Sequence, residues 1–227
     1  MAHTLADSGE ANILAIVHDT GVERGIGAVS VINHYYGRDS IPLGAYRGPI
    51  GALGPGSAKP AWTHSGEGAY LTELLNLSSP VQEASQVQEA TRVYRDALMA
   101  AADHSVVVVG IGFTTNILSL LQSLDDGAAP AGRILVESKV KELVLMGGRQ
   151  EYYQAQYPPE WNFAACGTGC GDYDAVPAIT HATLELWPPS VPITYIGFEA
   201  GEQVRTGLGV LQRNAPAGSP CRRAYEV

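Results

Sequence analysis

The sequence predicts one α/β domain with a mostly parallel sheet covered by helices on both faces. Short apolar runs alternate with longer amphipathic stretches along the 227 residues, the order that builds parallel strands joined by helical crossovers. The run Val106-Val-Val-Val109 carries too many consecutive β-branched residues to prefer a helix. The length suits one sizeable core and is short for two.

Taken in order, Ile13–Val17 reads as a buried strand that ends in the loop His18-Asp19-Thr20-Gly21. Residues 25–36 read as a helix closed by Gly37, and Ile41–Gly44 as a short strand. Residues 48–60, rich in glycine and proline, read as an irregular loop. Val87, Ala90, Val93, Tyr94, Ala97, Leu98 and Ala101 fall on one helical face, which predicts a helix over 85–102. Ser85 with Gln88 has the form of a capping box at its start. The valine strand follows, then a helix over 115–124, a loop, a helical stretch over 133–140 and a strand over Glu142–Met146. Residues 149–172 are aromatic, glycine-rich and irregular. A helix over 174–186, starting near Pro177, leads to the strand Pro192–Gly197 and a short helix from Glu199. The tail from Gln212 reads as a loop.

Composition excludes several classes. Apolar residues make up 45% and charged residues 16%, too apolar for a disordered chain. With 14 basic against 23 acidic residues the net charge is −9, so there is no basic footprint for nucleic acid. No apolar run reaches the roughly 18 residues of a membrane helix. The first ten residues lack a basic n-region and an apolar h-region, so no signal peptide is read and the expected location is cytoplasmic by default. Cys166, Cys170 and Cys221 are too few for a disulfide scaffold. Cys166-Gly-Thr-Gly-Cys170 either closes a small loop or carries two free thiols.

In a parallel α/β fold the ligand lies beyond the carboxyl ends of the strands. Here those ends are His18-Asp19-Thr20, Gly110–Asn116, Met146-Gly-Gly148 and Gly197-Phe-Glu199. Gly110-Ile-Gly112 opens a helix as a dinucleotide fingerprint would, but Thr115 stands where the third glycine belongs. No Gly-x-Ser-x-Gly elbow supports a serine hydrolase. His34 and His104 read as packing or surface residues, whereas His18 and His64 lie in loops. Glu202 and Arg205 read as a solvated helix pair.

Four segments belong together: Gly112-Phe-Thr-Thr-Asn116, Met146-Gly-Gly148, Glu160-Trp-Asn162-Phe163 and Val191-Pro-Ile-Thr-Tyr-Ile-Gly197. In that order, at those strand ends, they resemble the inosine/uridine-preferring nucleoside hydrolase family, over about residues 2–203. The resemblance implies a nucleoside-hydrolase-like fold and hydrolysis of the N-glycosidic bond of ribonucleosides, within purine and pyrimidine metabolism. It implies a calcium ion that holds the attacking water and the ribose hydroxyls, with the Thr115 backbone carbonyl as one ligand. It also implies that Met146 lines the ribose pocket and that Glu160 and Asn162 bind sugar hydroxyls, as a carboxylate acceptor beside an amide suits. His64-Ser-Gly-Glu-Gly68 loosely resembles a histidine loop near the family's site. The expected partner is a small molecule, a nucleoside or ribose, with a homo-oligomer an open possibility.

The family's aspartate cluster, of the form Asp-x-Asp-x-x-x-Asp-Asp, is not found in these residues, nor is its late calcium-binding aspartate. Asp174 is the last aspartate. The expectation is therefore one domain over 1–227 lacking the family's N-terminal aspartate strand and its C-terminal segment, with catalytic base and main metal ligands outside it. Calcium-dependent hydrolysis then belongs to a full-length parent. The alternatives are a non-catalytic relative that binds the sugar or nucleoside, and an inactive fragment. Asp19 and Glu199 stand at other strand ends, but no spacing marks them as substitutes. Without the aspartate strand, Ile13–Val17 and Val106–Val109 are not both expected to find full partners.

Overall fold

The computed structural model describes residues 2–52, 69–149, 159–202, 204 and 209–226. In chain order the elements are α1 (Ala2–Asp7), β1 (Ile16–His18), α2 (Gly25–Tyr35), β2 (Leu43–Ala45), α3 (Ala69–Leu75), β3 (Gln88–Glu89), α4 (Ala90–Ala100), β4 (Val106–Gly110), α5 (Thr115–Gln122), α6 (Gly132–Lys139) and β5 (Val140–Met146). They continue with α7 (Trp161–Ala164), α8 (Val176–Leu186), β6 (Ile193–Ile196), α9 (Phe198–Glu202), α10 (Gly209–Asn214) and α11 (Pro220–Ala224). The α/β fold with parallel strands and surrounding helices is the one expected. Among the described residues the strands form two sheets, ordered β1-β2-β3 and β4-β5-β6. All four strand pairings are parallel.

The first sheet packs between helices. Leu43 and Ala45 turn towards Ile26 of α2 and Ala84. Gly44 turns to the other side, where a Cβ would meet the Ala90 Cα and Val93 Cγ2 of α4 at 3.0 Å. The second sheet carries the main core. Val108, Leu143 and Leu145 are buried with Leu98 of α4, Ile117, Leu120 and Leu121 of α5, and Leu135 and Val136 of α6. Each such side chain contributes about 1.5–3 kcal/mol on burial. The alternate residues point the opposite way, because successive strand side chains face opposite sides. Val107, Val109, Ile111, Met146 and Ile196 are exposed, on a type of sheet that is ordinarily covered on both faces, and Thr194 donates to Glu142 on the same face. Among the described residues, β1 has a neighbouring strand only in β2 and β4 only in β5. Helix α4 contacts β1 and β2 as well as α5 and α6, so one helix underlies both sheets.

Several boundaries differ from the sequence reading. β1 covers Ile16–His18 rather than 13–17. The helix expected from 85 begins at Ala90, because Gln88 and Glu89 pair with Gly44 and Ala45 and are taken into the sheet. A capping box does occur just before, but it uses Glu83 and Gln86 around a 3-10 turn over Ala84–Gln86, not Ser85 and Gln88. The tail expected as loop forms α10 and α11. Ser219 caps α11 by accepting from the Arg222 N–H, and Pro220 sits in its first turn, where its missing N–H costs nothing. Arg223 then reaches Glu73 of α3 at 2.8 Å.

Close approach of α5 and α6 depends on a glycine. A Cβ at Gly132 would lie 1.7 Å from the Leu120 carbonyl oxygen, a backbone atom that cannot swing aside. The Gly132→Ala variant is therefore expected to lose about 2–3 kcal/mol, seen as a fall in melting temperature of about 4–12 °C for a domain of this size. An unchanged melting temperature would show that the two helices are not held this close. Beside this contact, the buried Arg95 guanidinium donates to Ser123 Oγ at 2.9 Å and to the Ala129 carbonyl at 2.8 Å, which ties α4 to the turn between α5 and α6.

Candidate functional site at the strand carboxyl ends

The carboxyl ends of β4 and β5 are joined by one side chain. Asn162, in α7, donates through Nδ2 to the Met146 carbonyl at 2.8 Å and to the Ile111 carbonyl at 3.3 Å, with Met146 Sδ at 3.2 Å. Both carbonyls lie just beyond Gly110 and Leu145, the last partners of the β4–β5 pairing, where a backbone carbonyl still needs a donor. The amide therefore replaces a ladder at the point where the strands diverge. Glu160 sets this amide in place. It is the N-cap of α7, with its carboxylate accepting from the Asn162 N–H at 2.9 Å and the Phe163 N–H at 3.2 Å. Its second oxygen also accepts from the Gly148 N–H at 2.7 Å. A carboxylate at a helix N-terminus also meets the favourable end of the helix dipole. Both residues are buried.

Gly147 and Gly148 allow this arrangement. A Cβ on Gly147 would lie 2.4 Å from the Phe163 ring, so the ring packs directly on the backbone. Gly148 has φ +78°, a conformation that favours glycine.

On the other side of the Ile111–Thr115 turn, the ends of β1 and β4 are also tied. Thr115 Oγ1 donates to the Asp19 carbonyl at 2.8 Å, and Asn116 Nδ2 to the His18 carbonyl at 2.9 Å. The Asp19 carboxylate rests on Gly112, where a Cβ would approach Oδ2 to 2.0 Å, and accepts the Phe113 N–H. His18 faces away, donating from Nδ1 to the Thr20 carbonyl at 3.0 Å and covering Gly25 at the start of α2. Burial pushes the Asp19 carboxyl above its usual range and the His18 imidazole below its own, so both side chains lean towards their neutral forms. The buried Tyr94 hydroxyl of α4 is raised by burial and then by the Asp19 charge.

The four residues singled out from the sequence thus share one end of the fold. Glu160, Asn162 and Met146 form a single bonded group. Thr115 lies four residues beyond Ile111 and bonds to Asp19 instead. Met146 is the most open of the four at 39% exposed. Glu160 and Asn162 direct these bonds at the backbone and are buried, so they build the rim. Asp19, passed over for lack of a spacing pattern, belongs to this end because folding brings β1 against the Gly112–Asn116 turn. His64 and Arg205 lie outside the described residues.

The fit of these groups to calcium can be tested on their donors. The Thr115 carbonyl accepts Ser119 Oγ within α5 at 3.0 Å. Among the described residues, the one close group of three side chains of metal-ligand type is Cys166, Cys170 and Asp174; it does not include Thr115, and its two sulfurs are joined as a disulfide. Calcium takes about six to eight oxygens, and the described residues around Thr115 do not supply that set. An aromatic cluster of Phe113, Trp161 and Tyr173, with ring centroids 5.4–6.0 Å apart, backs the turn instead. A separate cavity of about 510 Å³, lined by Leu14, Pro42, Leu43, Val93 and Ala97 among others, lies between the first sheet and α4. Its lining includes none of the strand-end residues described above.

No family model matches the chain, and no curated protein matches it. Among solved structures it is similar to the type III effector protein XopQ, whose crystal structure is a complex with adenosine diphosphate ribose. The two share 18% identity with a TM-score of 0.65, over 99% of this chain and 58% of that one. The chain thus spans 58% of the length of that relative. No helix among the described residues is long and apolar enough to cross a membrane. At this level of likeness the fold is what the two proteins share, an α/β architecture of parallel strands with surrounding helices.

Proposed function

We propose that this chain binds the ribosyl part of a nucleoside or nucleotide at the carboxyl ends of β1, β4 and β5. The observation that carries the reading is the Glu160–Asn162 pair, which joins the ends of β4 and β5 through the Ile111 and Met146 carbonyls. Such a rim, rigid before any ligand arrives, lowers the ordering cost of binding. Ligands of open α/β sheets sit at this end, and the adenosine diphosphate ribose of the XopQ complex supports a ribosyl compound as the class. Arg149 follows Gly148 and lies over the Phe198 ring at 3.9 Å, a cation suited to a phosphorylated ribosyl group.

Hydrolysis of the N-glycosidic bond, in the manner of the inosine/uridine-preferring family, is the finer reading. It needs a base to take the proton of the attacking water, and calcium dependence would need several carboxylates around the ion. The carboxylates described above at this end are Asp19, its pKa raised by burial, and Glu160, which accepts three backbone N–H groups, so binding is the reading taken for this chain. Calcium-dependent hydrolysis remains the proposal for a polypeptide that joins several metal-binding carboxylates to the same rim.

Titration calorimetry with ribose, adenosine and adenosine diphosphate ribose, with and without calcium and a chelator, tests both readings. Saturable binding of a ribosyl compound that ignores chelator, with no free base released, is the expected result. Base release that requires calcium would establish the hydrolase reading. Binding of none of the three would end the ribosyl proposal.

A further inference from the structure

The segment immediately after the Asn162 rim carries a second device. Cys166 and Cys170 are joined as a disulfide with Cα atoms 6.4 Å apart, inside the usual span of about 4.4–6.8 Å. The enclosed Gly167 and Gly169 have φ +85° and +82°, which lets five residues close on themselves. The Asp174 carboxylate holds the loop from the far side, accepting the Gly169 N–H at 3.0 Å and the Cys170 N–H at 2.8 Å. Between this loop and α7 stands Ala165, buried and at φ +47°. A non-glycine residue persists in that region only where its surroundings overdetermine it. Ala165 donates its N–H to the Trp161 carbonyl, so the strained residue also closes α7, the helix that carries Asn162.

We propose that the Cys166–Cys170 disulfide is a redox-sensitive clamp that holds α7, and with it Glu160 and Asn162, in the ligand-ready position. Cys166 is exposed and Cys170 partly so, so a soluble dithiol can reach the bond. A thiolate of that reductant attacks Cys166 Sγ, the S–S bond breaks, and Cys170 leaves as a thiolate and takes a proton. The second thiolate of the reductant then attacks its own sulfur in the mixed disulfide. This releases Cys166 as a thiol and leaves the reductant oxidised. Two electrons and two protons have passed from the dithiol to the pair. The freed loop no longer fixes Ala165 at positive φ, the last turn of α7 relaxes, and the Asn162 amide loses its register on the Ile111 and Met146 carbonyls. Cys221, the remaining cysteine, is not in a disulfide and provides an internal count.

The effect on ligand rests on the ribosyl reading, but the clamp itself is tested without any ligand. Alkylation of the native full chain and mass measurement should find one reactive thiol before dithiothreitol and three after it. Amide hydrogen exchange should show protection of residues 161–165 falling on reduction while that of β5 stays. The Cys166→Ser/Cys170→Ser variant should exchange like the reduced protein and ignore reductant. Three alkylated thiols before reduction would overturn the proposal, and so would unchanged exchange at 161–165 after it. If adenosine diphosphate ribose binds, reduction should weaken it about tenfold, or one decade in Kd. If it binds in neither state while exchange responds, the ribosyl reading fails and the clamp stands. Binding that is equal in both states would overturn the clamp's link to the site.

Discussion

Replacing Asn162 with alanine is expected to remove ribosyl binding and to destabilise the fold by about 2–4 kcal/mol. The two effects share one cause. The Nδ2 group is the donor that holds both the Met146 and the Ile111 carbonyls, and Asn162 is itself buried. Leaving two carbonyls without their donor at a buried rim costs their desolvation. It also removes the link that keeps the ends of β4 and β5 at a fixed separation. Thermal unfolding reads the loss of stability, and calorimetric titration with adenosine diphosphate ribose, measured well below the melting temperature, reads the loss of binding. Asn162→Asp separates shape from donation, because it keeps the side-chain outline but turns a donor into an acceptor aimed at two carbonyls. It should be at least as damaging as alanine. If Asn162→Asp kept full stability and binding, the amide would not be the link described. In a longer, catalytically complete polypeptide the alanine change should raise KM and lower kcat together if the amide also grips the sugar in the transition state.

The second large effect is expected at Gly112. An alanine methyl there would sit 2.0 Å from the Asp19 carboxylate, which is held by the Phe113 N–H and walled in by burial. Asp19 must move, and moving it breaks the contact between the ends of β1 and β4. The cost should be about 1–3 kcal/mol, with ligand affinity falling about tenfold or more, which corresponds to roughly 1.4 kcal/mol. A double-mutant cycle isolates the contact. In an Asp19→Ala background the Gly112→Ala change should cost little, because the colliding carboxylate is gone, and the coupling should exceed about 0.5 kcal/mol. Strictly additive effects would mean that Asp19 and Gly112 do not touch.

Both predictions concern the strand carboxyl ends, and the sequence located those ends well. Val106–Gly110, Leu143–Met146 and Ile193–Ile196 each announce themselves as short, mostly apolar runs without a regular polar alternation, the pattern of strands in a parallel sheet, although one face of this sheet is exposed. The helices 25–35, 115–122 and 176–186 follow from helical spacing and glycine or proline at their ends. Elements that depend on distant partners were less legible. Gln88 and Glu89 look like the first turn of a helix, and only pairing with Gly44 and Ala45 draws them into a strand. The tail looks like loop because its composition is poor for a core. It folds where Arg223 finds Glu73, 150 positions away in the chain.

The sequence by itself determined the alternation of strands and helices, hence the α/β class, and it named Glu160 and Asn162 through their closeness to one another and to a known pattern. Those properties are local, carried by residue type and short spacing. Tertiary structure alone decided what these side chains bond to and which residues join them. Asn162 reaches Ile111 and Met146, Thr115 reaches Asp19, and Asn116 reaches His18. Each of these links spans from 16 to 98 positions, a separation over which residue spacing carries no geometric information. They exist because parallel strands bring all their carboxyl ends to one edge of the sheet, where backbone groups beyond the ladder must find donors and acceptors from whatever segment packs above them.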